Sequence, residues 1–430
     1  MSRPQFSPSP SQVGFPMLDR RQMLVALGGL AAAGSSLGAF ADEALAAGTV
    51  TFGSNYSDPK FKKAMAAGIK STGLKVKINT VDHNKFQENI TRYLNTRPDD
   101  VYCWFAGYRM RFFAKKGLAT DISDVWKKVA PQFSAGFKGA STGDDGKQYF
   151  VPFYNYPWAI FYRKSLFAEK GYTTPNNADE LIALCKKMKT DGLTPFAFAD
   201  DGGWPAMGTF DYLNMRTNGY DFHVRLMAGK EAWTGPEVKA VMSTYTQLLE
   251  YHQAGAVTRK WEDAAQSLVK KESGMYTLGS FVSGQFTNAA DLADLDFFAF
   301  PEINPKWGRD SVEAPIDGFM VSKRAKNVAG AKQLIAGLAS AKAEDAYAAV
   351  DPSNLMASKK ASTAKYTDFQ KKSIKLIAGA KHISQFLDRD TDPGFASEVV
   401  GKALQQFINT PGDVDSILKN IESQKSQYLK

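Results

Sequence analysis

The chain has 430 residues, 44% of them hydrophobic and 12% aromatic, with a formal net charge of +9. That balance excludes a disordered chain, which pairs low hydrophobicity with high charge. Two cysteines, Cys103 and Cys185, exclude a disulfide-rich scaffold and a Cys-based metal cluster. The lysines are scattered in pairs such as Lys62-Lys63, Lys115-Lys116 and Lys270-Lys271 with no basic run interleaved with aromatics, so nucleic acid is not an expected partner.

The first element is an export signal. Asp19-Arg20-Arg21-Gln22-Met23-Leu24 leads into an uncharged stretch from Gln22 to Ala41, with small-x-small exits at Ala39-Phe40-Ala41 and Ala44-Leu45-Ala46. A charged start, a weakly apolar middle and such an exit make a cleavable secretory signal over residues 1–46. The adjacent arginines resemble the twin-arginine signal, with Asp19 standing where that pattern has Ser or Thr and Met23 where it favours Phe. Gly28, Gly29, Gly34 and Gly38 thin the apolar content and argue against a retained membrane anchor. The expected destination is the periplasm.

From Thr49 the chain alternates β-like and helical patterns, as an α/β protein with a largely parallel sheet does. Strands are expected over Thr49–Gly53, Leu74–Val81 and Asp100–Phe105, and helices over Asp58–Ser71, Lys85–Leu94 and Arg109–Lys116. Such units bind ligands beyond the carboxyl ends of their strands, which selects the loops Ser54–Ser57, Asp82–Asn84 and Phe105–Tyr108. Tyr149–Tyr162, dense in aromatics around Pro152 and Pro157, reads as a strand crossing between lobes. Asn177 caps a helix through Lys189 with Glu180 three residues on. Further helices are expected at Pro236–Gln253, at Asn327–Leu338 and over most of the chain beyond Asp368. Cys103 and Cys185 lie in apolar patterns, where two free buried thiols are expected.

Catalytic and cofactor signatures are weak. His83, His223, His252 and His382 are isolated, so no metal site is expected. Gly34-Ser35-Ser36-Leu37-Gly38 matches a nucleophile motif but lies inside the leader, and the chain carries no Gly-x-Gly-x-x-Gly or phosphate-loop pattern. No cofactor and no enzymatic activity are expected. What recurs is an aromatic residue beside polar ones at loop positions: Asn55-Tyr56, Trp104-Phe105, Trp158, and Gly203-Trp204-Pro205. A sugar ring offers an apolar C–H face to flat aromatics and a belt of hydroxyls to carboxylates, amides and guanidinium groups. Trp104 and Trp204 are the expected stacking platforms; Trp126, Trp233, Trp261 and Trp307 are expected in the core.

Asp100-Val101-Tyr102-Cys103-Trp104 followed by Ala114-Lys115-Lys116-Gly117-Leu118, then Gly146-Lys147-Gln148-Tyr149, Phe161-Tyr162-Arg163-Lys164-Ser165-Leu166-Phe167, Gly203-Trp204-Pro205, Gly274–Phe281 and Asp388-Arg389-Asp390 stand in a characteristic order. Together they resemble the extracellular solute-binding proteins that deliver sugars to ABC importers, the family that includes maltose-binding protein. The resemblance implies a two-lobed α/β periplasmic-binding-protein fold of type II, with a ligand cleft between lobes joined by crossing hinge strands. It places residues 47–156 plus about 318–355 in the N-terminal lobe and 157–317 plus about 356–430 in the C-terminal lobe. It puts Asn55, Tyr56, Asp82, His83, Trp104 and Arg109 on the first lobe's side of the ligand, and Asn155, Tyr156 and Trp158 at the first crossing. Trp204 and Phe281 face them from the second lobe, Phe281 at a place that is often Trp in the family. Asp317 stands near another crossing and Arg389 near the C-terminal lip. The implied ligand is a mono- or oligosaccharide, the implied partners are ABC permease subunits in the inner membrane, and the receptor is expected to be a monomer. A polyamine or other cationic-solute receptor and a secreted glycoside-active enzyme are the alternative readings.

Overall fold

The computed structural model describes residues 48–429; the leader reading falls outside the described residues. The first lobe opens as β1 (Val50–Ser54), α1 (Pro59–Ser71), β2 (Val76–Thr80), α2 (His83–Asn95), β3 (Val101–Phe105) and α3 (Tyr108–Lys115). Local chemistry sets the helix starts. Asp58 accepts the N–H groups of Lys60 and Phe61 at 2.9 and 3.3 Å, with Pro59 at the first helical position, and Asp82 accepts that of Lys85 at 3.2 Å.

β1 lies between β2 and β3 and runs parallel to both. The rest of this six-stranded sheet, ordered β11-β4-β10-β3-β1-β2, is antiparallel. β4 (Val151–Asn155) leaves the lobe at the carboxyl edge of the parallel strands; β10 (Ile316–Val321) re-enters there, pairing Asp317 with Phe105, and so runs opposite to β3. The expected largely parallel sheet is therefore mixed, because the strands that return from the other lobe enter at the ligand edge. The short β11 (Leu355–Met356) closes the far side.

The aromatic stretch read as one crossing strand is two. Tyr156 and Pro157 separate β4 in the first sheet from β5 (Trp158–Arg163) in the second, which is ordered β6-β7-β5-β8 with β6 at Thr194–Ala197, β7 at Ser273–Gly279 and β8 at Leu295–Phe298. Pro157 has no N–H to continue a ladder. β9 (Ser311–Glu313) and β12 (His382–Ser384) form a separate parallel pair.

Three helices concern the site: α4 (Trp204–Asn218), α5 (Trp261–Val269) and the short α6 (Leu387–Asp390). The sequence gives no helical reading for α4 because every residue from Pro205 to Arg216 is buried, which erases the amphipathic period. The helix expected to Gln253 stops at Leu249. Cys103 and Cys185 are free and buried. Among the described residues no helix is long and apolar enough to cross a membrane.

Candidate functional site

A cavity of about 780 Å³, including its mouth, lies between the two sheets. The first lobe contributes Asn55, Tyr56 and Asp58 from the loop after β1, His83 and Gln87 from α2, and Phe105 from the end of β3. The second contributes Trp158 at the start of β5, Trp204 at the start of α4, Trp261 and Glu262 at the start of α5, and Phe281 after β7. Tyr156, Asp317 and Asn354 come from the crossings; Phe386, Asp388 and Arg389 come from α6 and the residue before it.

The aromatic rings brace one another. Trp204 meets Trp158 edge-on at 6.1 Å, Trp158 meets Phe386 at 5.0 Å, and Phe281 lies 5.2 Å from Tyr156 and 5.0 Å from Trp261. T-shaped contacts of this kind fix the rings' orientation. The wall is thus a set of rigid apolar faces with few rotamers to freeze when a ligand arrives.

The polar wall is built around two arginines. Arg389 lies 2.8 Å from Asp317 Oδ1, donates to the Tyr156 hydroxyl at 3.1 Å and to the Ile316 carbonyl at 3.2 Å, and stacks over the Phe105 ring at 4.2 Å. Arg109 pairs with Asp388 Oδ2 at 3.0 Å and donates to the Asp388 carbonyl at 3.3 Å. Burial pushes the Asp317 carboxyl up, and Arg389 opposes that shift without cancelling it. The Arg389–Asp317 pair is within ion-pair distance. Asp317 Oδ1, Asp388 Oδ1 and Arg389 Nε are all buried with no aligned partner. The protein thus leaves hydrogen-bonding capacity of both signs unfilled along this wall.

A relay orders the remaining polar groups. Arg109 donates to Gln87 Oε1, so the Gln87 amide N–H points at His83 Nε2, 2.7 Å away, which must accept. The other ring nitrogen, Nδ1, lies 3.3 Å from Asn55 Nδ2. Burial, with the Arg109 charge adding to it, pushes the His83 pKa down to about 4, so the ring is neutral at physiological pH.

The two lips touch. Asn84 on α2 donates to the Asp201 carbonyl and carboxylate, each at 3.1 Å, and accepts from Trp204 Nε1 at 3.3 Å. Gln285 donates to Asp58 Oδ2 at 2.8 Å, Lys260 lies 3.4 Å from Asp82, and Phe61 stacks on Trp261 at 6.3 Å. Each contact joins the first lobe to the second, so the conformation is closed.

Residues 53–345 match the model of the bacterial extracellular solute-binding protein family. The chain belongs to that family. The bacterial solute receptor AcbH, described as having an exclusive substrate preference for β-D-galactopyranose, is 45% identical, with a TM-score of 0.86 over 89% of this chain and 99% of that one. A chitin oligosaccharide binding protein superposes with a TM-score of 0.80 at 20% identity, over 88% of this chain and 99% of that one. An ABC transporter extracellular-binding protein of Pyrococcus horikoshii is 25% identical over 66% of this chain; the match spans 64% of that relative, slightly under two thirds of its length. The fold is the two-lobed type II solute-binding architecture.

Within this solute-binding fold the cavity gathers Asn55, Tyr56, His83, Tyr156, Trp158, Trp204, Phe281, Asp317 and Arg389 from the sequence-derived set. Four others stand off its wall. Trp104 is 2% exposed, and its Nε1 donates to the Arg109 carbonyl at 3.2 Å, so it packs in the core behind Phe105. Arg109 is buried beneath Asp388 and acts through it. Asn155 is buried at the end of β4, and Asp82 caps α2 and faces Lys260 at the lip. Trp126 and Trp233 are buried as expected, whereas Trp307 is half-buried with Lys306 over its ring, and Trp261 walls the cavity. Trp261 stands among charges at Lys260-Trp261-Glu262-Asp263, a surface texture that could have marked it.

Proposed function

We propose that this chain is the sugar-capturing receptor of an ABC importer, exported by its leader to the periplasm, where it works as a monomer and hands a closed, loaded cleft to the membrane permease. The observation that carries this reading is the cavity itself: braced aromatic faces opposite an Arg–Asp wall, enclosed by both lobes. A pyranose ring needs both surfaces at once. Closed lips on either side favour a single ring over a long oligosaccharide, and the preference described for the 45% identical AcbH makes D-galactose the first ligand to test. The sugar touches both lobes together only in the closed state and stabilises that state by its differential affinity.

The cationic-solute reading is disfavoured because Asp317 and Asp388 are each engaged by a guanidinium, so an ammonium group entering the cavity meets Arg389 at its wall and carboxylates whose charge is already paired. The same engagement disfavours a carboxylate pair working as acid and base. A thermal-shift and calorimetric screen of D-galactose, D-glucose, maltose and spermidine decides. At a hundred dissociation constants of ligand the gain is about 2.7 kcal/mol, a rise of a few degrees. Galactose is expected to give it; a response to spermidine alone, or turnover of a bound glycoside, refutes the reading.

A further inference from the structure

Behind the cavity, on the side away from the ligand, two carboxyl groups are sealed together. Asp211 on α4 and Glu313 on β9 are both fully buried, and three of their oxygens, Asp211 Oδ1 and both of Glu313, have no aligned donor. The titratable groups around them do not neutralise the pair. His223, from the helix over residues 220–227, places Nδ1 3.9 Å from Asp211 Oδ1, but burial pushes its pKa down to about 3 and its Nδ1 is engaged by Asn214 at 3.2 Å. From α6, Asp388 and Asp390 add like charge, with Arg389 opposing it; Tyr212 on α4 uses its hydroxyl to accept the Glu313 N–H at 3.4 Å. Two adjacent anions in such a place repel, and a single proton held between them removes the conflict and supplies the missing donor.

The fourth oxygen shows what the pair is for. Asp211 Oδ2 accepts the backbone N–H of Leu387 at 2.7 Å. On the same turn Asp390 Oδ2 accepts the Ser384 hydroxyl at 2.9 Å and the Gln385 N–H at 3.1 Å, and Ser384 is registered against Glu313 in the β9–β12 pair. Between these anchors Phe386 is held at φ +127°, a conformation that L side chains rarely adopt, with its ring against Trp158. The next residues but one are Asp388 and Arg389, which form the polar wall of the cavity.

We propose that Asp211 and Glu313 are positioning residues for the ligand: a carboxyl pair sharing one proton that holds the strained Phe386 turn and thereby aims Asp388 and Arg389 into the cavity. Glu313 carries the proton and donates it to Asp211, which in turn holds Leu387. Burial raises both carboxyl pKa values, in agreement with a proton retained at neutral pH. The sugar-binding reading is needed for the affinity arm of the test but not for the exchange arm.

In the exchange arm, the Leu387 amide is followed by hydrogen exchange in the ligand-free protein; Asp211→Ala is expected to speed it at least tenfold and Glu313→Gln, whose amide can still donate to Asp211, to leave it within threefold. In the affinity arm, D-galactose is titrated against each. Asp211→Ala is expected to bind at least thirtyfold more weakly, and Glu313→Gln within threefold of the parent at pH 7. At alkaline pH the parent loses affinity as the shared proton leaves and two carboxylates face each other, whereas Glu313→Gln stays flat. Unchanged Leu387 exchange in Asp211→Ala, or the same alkaline decline in Glu313→Gln as in the parent, overturns the proposal. Should Asp211→Ala fail to fold, the Glu313→Gln profile decides alone. A parent that binds no galactose refutes the sugar reading and leaves the exchange arm to judge this one.

Discussion

Replacing Asn84 by alanine tests whether affinity is set in part by contacts that never touch the ligand. Asn84 lies at the lip, not on the cavity wall, and makes three bonds across the cleft: to the Asp201 carbonyl and carboxylate at 3.1 Å and from Trp204 Nε1 at 3.3 Å. When the lobes part, all three are exchanged for water. Bonds at a half-exposed site are worth about 0.5 kcal/mol net each, so the closed state loses about 1–2 kcal/mol relative to the open one. For a receptor that is mostly open without ligand, apparent affinity scales with the closing constant. Asn84→Ala is therefore expected to weaken D-galactose binding about 5- to 30-fold, chiefly through faster release, since the bonds form after encounter. Calorimetry gives the affinity and stopped-flow tryptophan fluorescence the rates. The ligand-free thermal midpoint should move by less than about 2 °C, because no bond within either lobe is removed. Gln285→Ala, which removes the 2.8 Å bond to Asp58 and shares no partner with Asn84, should add its loss independently. Affinity within twofold of the parent would refute the reasoning, and so would a large fall in the ligand-free midpoint, which would make Asn84 a strut inside one lobe.

Three further outcomes are expected. Trp261→Ala removes a cavity wall and the stack on Phe61 together, and should cost about 10- to 100-fold in galactose affinity by calorimetry. Gly208→Ala should be harmful although alanine favours a helix: its Cβ would come 2.3 Å from the Trp158 ring, so overpacking of about 1–3 kcal/mol exceeds the helical gain, and both the thermal midpoint and galactose affinity should fall. Glu262 should make binding pH-dependent. Burial at the cavity, with the Asp58 charge adding to it, raises its pKa from 4.5 to about 7 in the closed form, while the open form returns it to water. The closed form therefore holds the proton more tightly; affinity is highest in acid, falls as pH rises from about 4.5 to 7, and levels off above that. Because the side chain keeps some exposure, the fall should be about three- to tenfold in total, and Glu262→Gln should flatten it; a parent profile that is flat between pH 5 and 7 would sink this assignment.

The frame of the molecule was readable because it rests on local rules. The helices after β1 and β2, the strands over β1 to β3, and the loops at their carboxyl ends all follow from spacing; the loop after β1 carries Asn55 and Tyr56, and His83 opens α2 at the end of the next. The α4 helix was unreadable for the converse reason: a helix buried all round has no polar face to set a period.

Which residue of a pair meets the ligand depends on strand face, and face is set by register against strands distant in sequence. Trp104 and Phe105 are neighbours on β3, so one of them must point to the cavity and the other to the core; the pairing of β3 with β10, over two hundred residues later, gives the cavity to Phe105. The same period of two takes Tyr154 and Tyr156 to the cavity and Asn155 away from it, a consequence that the sequence does contain once one of the three is placed. Trp261 and the Arg109–Asp388 pair need more than register. The first becomes a wall only when Phe61 closes over it from the other lobe, and the second joins residues 279 apart. The features that demand the closed three-dimensional structure are thus the ones that should separate ligand affinity from stability of the lobes, which is why the informative substitutions fall at Asn84, Gln285 and Trp261 and not at the buried Trp104.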